Sequence, residues 1–96
     1  MNTYESMIIY LPELKEEEVK KQIKSFVEKV ASHKGIIKDQ DFWGLKDLSY
    51  ETDKKTKGYY FVCKFELEPY QIAPLETWLK LENDGILRFM ISNINE

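Results

Sequence analysis

Residues 59–67 alternate with a period of two, so Tyr59, Phe61, Cys63, Phe65 and Leu67 share one side of an extended backbone while Tyr60, Val62, Lys64 and Glu66 share the other. This pattern predicts a strand. Residues 15–32 follow a 3.6-residue period instead, with Val19, Ile23, Phe26, Val27 and Val30 on one stripe of an amphipathic helix. Glu16, Glu17 and Glu18 fall in its first turn, where the helix dipole favours negative charge, and Glu16/Lys20 and Glu17/Lys21 are spaced to pair. Gly35 supplies the expected stop. Residues 4–10 read as a strand closed by Leu11-Pro12, and residues 36–50 as another, disturbed near Gly44. Residues 51–57 are polar and turn-like, which joins residues 36–50 and 59–67 into a long hairpin.

A second helix follows Pro69, with Ile72, Leu75 and Leu79 on one face and Trp78 at its border. Pro74 is tolerable only near a first turn, so the helix should start late or irregularly. After Asn83-Asp84-Gly85, residues 86–92 make the last strand. The order β-α-β-β-α-β predicts one α+β domain over residues 1–96: a ferredoxin-like plait whose four-stranded antiparallel sheet is ordered 4-1-3-2, with both helices on one face.

The sheet's other face then carries the functional question. Burying Lys64 and Glu66 under helices without partners would cost several kcal/mol, so the aromatic row of residues 59–67 should meet the helices. By the same alternation Tyr4, Ser6, Ile8 and Tyr10 point inward, as do Leu87, Phe89 and Ile91; Ile86, Arg88, Met90 and Ser92 point outward. The open face is expected to hold Met7, Ile9, Tyr60, Val62 and Met90, rimmed by Glu5, Lys64, Glu66 and Arg88. An apolar patch with a charged rim is the pattern of a docking surface, although solvated sheets also carry scattered apolar residues.

Charge narrows the occupant. The net charge is −3, which argues against a freestanding nucleic-acid binder, since that affinity depends on neutralising phosphates. A local basic group or a basic partner could restore such a role. Lys46, Lys54, Lys55 and Lys57 gather around the hairpin, offset by Asp47, Glu51 and Asp53, and with Arg88 they form the one credible phosphate-contacting group. Residues 57–64 match five of the seven specified positions of the aromatic RNA-stacking motif, failing at Tyr60 and Lys64. That motif needs Tyr59 and Phe61 in solvent, against the alternation just described.

Catalytic chemistry has no foothold. The one histidine, His33, ends the first helix, and the one cysteine, Cys63, lies on the inward row. The glycines stand alone, the carboxylates are dispersed, and no Cys/His set has metal-ligand spacing. No enzyme, cofactor, metal or small-molecule substrate is expected. No basic segment leading into a long apolar run opens the chain, so neither a secretory signal nor a membrane span is predicted and the cytoplasm is the expected compartment.

Taken in order, Tyr4-Glu5, Pro12, Gly35, Trp43-Gly44, Lys46, Leu48-Ser49-Tyr50, Gly58-Tyr59-Tyr60, Phe65-Glu66, Pro69, Leu75-Glu76, the run 79–84 and the run 86–90 resemble the family of ribosomal protein six of the bacterial small subunit. The resemblance implies the same plait and a non-catalytic ribosomal constituent, on a bacterial or organellar ribosome. Its members pair with ribosomal protein eighteen, a small basic protein, and with it bind the central domain of small-subunit ribosomal RNA. By position it assigns RNA contact to Lys46, to Lys54 or Lys55, and to Arg88, and it sets Tyr60, Val62 and Lys64 on the partner-facing sheet. Asp47 stands at a commonly basic position, Glu51-Thr52 replaces a Pro-aliphatic pair, Asn2-Thr3 lacks a basic amino end, and the chain stops at Glu96 short of an extended tail. Direct RNA contact is therefore expected to be weaker, with more reliance on the protein partner. The rival reading is a ligand-sensing regulatory module on the same plait, acting as a homodimer.

Overall fold

The computed structural model describes residues 1–52, 54–81 and 83–94, without the side chains of residues 49–52. Glu51 and Asp53, which offset the hairpin lysines, therefore lie outside the described side chains, as do Ser49, Tyr50 and Glu82 of the family pattern. The elements are β1 (Asn2–Tyr10), α1 (Glu16–Ser32), β2 (Ile36–Thr52), β3 (Lys55–Leu67), a 3-10 turn (Pro69–Gln71), α2 (Ile72–Leu81) and β4 (Ile86–Asn93). All strand pairs are antiparallel and the sheet order is β2-β3-β1-β4. This is the predicted plait. Among the described residues no helix is long and apolar enough to cross a membrane.

The core forms where the inward rows of β1 and β3 meet the apolar stripes of the helices. Tyr4, Ile8, Tyr10, Phe61, Phe65 and Leu67 are buried with Val19, Ile23, Phe26, Val30, Leu75 and Leu79. Each such side chain, fully buried, contributes about 1.5–3 kcal/mol. The ring of Phe26 stands edge-on to Phe61 and Phe65, with centroids 6.4 and 6.0 Å apart, the arrangement that ring quadrupoles favour. Ser6 is the polar exception on the inward row. Its hydroxyl donates to the Cys63 carbonyl at 3.3 Å, so the buried oxygen is satisfied by the adjacent strand.

Local chemistry sets the ends of α1. The backbone N–H of Lys15 donates to Glu18 Oε1 at 3.0 Å, closing the first turn. Of the two predicted i,i+4 pairs, Glu16–Lys20 forms at 3.5 Å, whereas Glu17 and Lys21 make no ion pair among the described residues. The left-handed residue at the stop is Lys34 (φ 65°) rather than Gly35. The Gly35 N–H instead returns to the Val30 carbonyl at 2.9 Å. The late start predicted for the second helix is the 3-10 turn, which leaves Pro74 in the first turn of α2, where a missing N–H breaks no helix bond.

Two boundaries differ from expectation. The hairpin is longer than the sequence pattern implies, since the polar stretch pairs down to Thr52 and Lys55. Ile86, expected outward, lies opposite Tyr10 and packs against the core, because an irregularity between Ile9 and Tyr10 gives β4 one extra residue before Arg88 comes opposite Ile9.

Candidate docking face of the sheet

Strand register assembles the open face as three rows. In the middle row Asp41, Val62, Met7 and Met90 lie side by side across β2, β3, β1 and β4. On one side of it come Gly44, Tyr60, Ile9 and Arg88, and on the other Asp39, Lys64, Glu5 and Ser92. At 4.7–4.9 Å between strands, each row is roughly 14 Å wide. Tyr60, Val62, Met7 and Ile9 are half-buried by their neighbours and Met90 is 53% exposed, so the patch is apolar at its middle and open to solvent. The structure thus brings together Met7, Ile9, Tyr60, Val62, Lys64 and Met90 on one surface, with no helix over it among the described residues.

Tyr59 and Phe61 are on the opposite face. Tyr59 stacks on Phe42 with centroids 6.3 Å apart, and Phe61 is 1% exposed. Base stacking by these rings, as the aromatic RNA motif requires, is therefore impossible without unfolding the sheet.

Trp43 belongs to the face and was not among the expected residues. Register shifts between Phe42 and Gly44, where Gly44 takes φ 81°, a conformation that side chains disfavour. The extra residue turns the indole onto Tyr60, with centroids 5.7 Å apart and planes 11° from parallel. Its Nε1–H donates to Asp41 Oδ2 at 2.8 Å. The disturbance expected near Gly44, from a glycine inside a strand pattern, is this bulge; its stacking of Trp43 on Tyr60 was not expected. Close packing also continues to the hairpin base, where a Cβ at Gly58 would run into Cγ2 of Ile9.

The expected phosphate-contacting residues fall into two groups. Lys46 lies opposite Gly58 on β2, Lys57 opposite Asp47, and Lys54 occupies the hairpin turn with φ 63°. Lys46, Lys54 and Lys57 are exposed. Lys55 is engaged: its Nζ is 2.9 Å from Glu13 Oε1, tying the hairpin to the loop before α1. Arg88 is exposed at the other edge, on β4, opposite Ile9. Lys46, opposite Gly58, and Arg88, opposite Ile9, therefore frame one end of the face, while Asp39 and Asp41 sit toward the other end of β2; Lys55 and Lys57 share the parity of Tyr59 and belong to the helix side.

Cys63 is chemically inert by position, as its place on the inward row implies. Cys63 is fully buried, and burial, helped by the Asp39 carboxylate, pushes its thiol up to about 12. His33 caps the end of α1. No group of three or more His, Cys, Asp or Glu side chains is arranged to hold a metal among the described residues.

Residues 3–93 match the family described as ribosomal protein S6. The small ribosomal subunit protein bS6 of Helicobacter pylori (strain ATCC 700392 / 26695) is 38% identical over 91 residues, covering 95% of this chain; the chain spans 63% of that relative's length. The bS6 protein of Thermoanaerobacter pseudethanolicus is 38% identical over 96 residues and is covered end to end. The crystal structure of 30S ribosomal protein S6 from Thermotoga maritima superposes with a TM-score of 0.90 at 26% identity, covering 96% of this chain and 86% of that one. With an ordered pattern of residues, the same plait and a match along nearly its whole length, the chain belongs to the ribosomal protein S6 family.

Proposed function

We propose that the chain is a non-catalytic constituent of the small ribosomal subunit, in the cytoplasm, whose open sheet face seats ribosomal protein eighteen. Together the two bind the central domain of small-subunit ribosomal RNA during assembly. The observation that carries this reading is the uncovered apolar row Val62–Met7–Met90 on a chain of net charge −3. An acidic protein gains RNA affinity by borrowing charge from a basic partner, and an apolar middle with an ionic rim is the surface such a partner needs. Lys46, Lys54, Lys57 and Arg88 supply the direct phosphate contacts; Lys55, held by Glu13, supplies less.

The test is co-purification. The full chain, mixed with ribosomal protein eighteen before RNA is added, forms a one-to-one complex, and the complex binds central-domain RNA more tightly than either protein alone. A symmetric homodimer that ignores both the protein and the RNA overturns the reading in favour of a regulatory module.

A further inference from the structure

Asp41, Trp43 and Tyr60 combine three properties on one side of the sheet. The Trp43 indole is 44% exposed with one side against Tyr60, so its other side is available. Asp41 orients that indole through a single oxygen, Oδ2. Among the described residues no cation of the chain comes within ion-pair distance of Asp41 or of Asp39 two residues away, although Lys64 lies opposite Asp39 on β3 and all three are exposed. A flat aromatic beside a carboxylate that no ion pair occupies disfavours phosphate and suits a planar cation. Guanidinium meets both demands, stacking on the indole while its fork donates to the carboxylate; an ammonium ion meets only the charge.

We propose that this corner of the open face is an arginine receptor, anchoring an arginine-bearing segment of the basic protein partner against Trp43 and Asp41. The inference rests on the docking reading above and adds what it lacks, the chemistry of the anchor and its place on β2. The face is thereby divided: the carboxylate end of β2 takes the protein, and the lysines of the hairpin with Arg88 take the RNA.

The test uses the full chain and purified ribosomal protein eighteen by titration calorimetry. Asp41→Asn keeps an acceptor for the indole N–H and removes only the charge; it should weaken Kd about tenfold, as should Trp43→Ala. The double variant should be little worse than either single one, because both remove the same anchor. In a Trp78→Phe background, emission from Trp43 should change on complex formation and should not change with a partner whose arginines are all lysines. Wild-type affinity in both Asp41→Asn and Trp43→Ala overturns the receptor while leaving the docking reading intact. Failure of the unaltered chain to bind the partner overturns both. Loss of RNA binding by Trp43→Ala in the absence of the partner, together with gain by Asp41→Asn, overturns the proposal by making the indole a base-stacking platform.

Discussion

Phe61 and Val62 are adjacent in β3 and face opposite ways, so a matched pair of substitutions separates the role of the core from that of the docking face. Phe61→Ala empties a site that is 1% exposed and removes the edge-on contact with Phe26 at 6.4 Å. Lost transfer free energy, cavity and ring contact together amount to about 3–5 kcal/mol, a large part of the 5–15 kcal/mol typical of whole domains. For a chain of this length that lowers Tm by roughly 15 °C or more. Val62→Lys acts on the open side, where Val62 is half-buried between Met7 and Asp41. It gives up some apolar contact but sets a cation opposite Asp41, a pair worth roughly 0.2–1 kcal/mol, so the net change should stay within about 1 kcal/mol. Urea unfolding followed by circular dichroism reads the first effect and titration with the basic partner reads the second, where Val62→Lys should weaken Kd by at least about tenfold. An equal loss of stability in the two variants would refute the assignment of faces, and unchanged partner affinity in Val62→Lys would refute the docking site.

Three further outcomes follow from the geometry. The salt dependence of RNA binding by the complex should flatten by about 0.7–0.9 in logarithmic slope for Lys54→Ala or Lys57→Ala, and by clearly less for Lys55→Ala, whose ammonium already lies 2.9 Å from Glu13; equal slopes for all three would contradict the division. Gly58→Ala should destabilise by about 1–3 kcal/mol, since its Cβ meets Ile9 Cγ2, and Ile9→Ala in the same chain should recover part of that in urea melts. The Cys63 thiol, ordinarily at 9.0, is raised to about 12 by burial, so the folded state holds its proton longer than the unfolded one. Its stabilising effect is complete below about pH 9 and is lost as pH rises toward 12. Tyr10, raised by burial and then by Cys63, changes stability in the same direction. Alkaline titration of stability should therefore fall over that window, less steeply in Cys63→Ala, and a rise would contradict the burial of the thiol.

The sheet's two faces were legible because β3 mixes ions with aromatics: Lys64 and Glu66 cannot share a side with Phe61 and Phe65 without large desolvation. Ser6 obscured the same alternation in β1, and only the neighbouring Cys63 carbonyl makes its burial tolerable. Alternation failed where register slips. One extra residue near the start of β4 carried Ile86 inward. Gly44 did mark the slip in β2, but not that Trp43 would stack on Tyr60 there. Which side chain a slip brings to a face depends on how two strands pair, and a period counted along one strand does not contain it. The Lys55–Glu13 bridge was hidden for a similar reason, because it joins segments far apart in the chain.

The irregular outer strands also decide how the molecule can be approached. β2 is 17 residues long and forms one margin of the sheet, yet its pairing with β3 is interrupted at three places; β4, at the opposite margin, has only eight residues and its own irregularity against β1. Straight margins would invite another chain to continue the sheet through backbone hydrogen bonds, with little regard for its sequence, and kinked or short ones do not. On the reading proposed above, association is left to the flat side, where side chains rather than peptide groups do the reading, and a chosen neighbour is favoured over indiscriminate sheet extension.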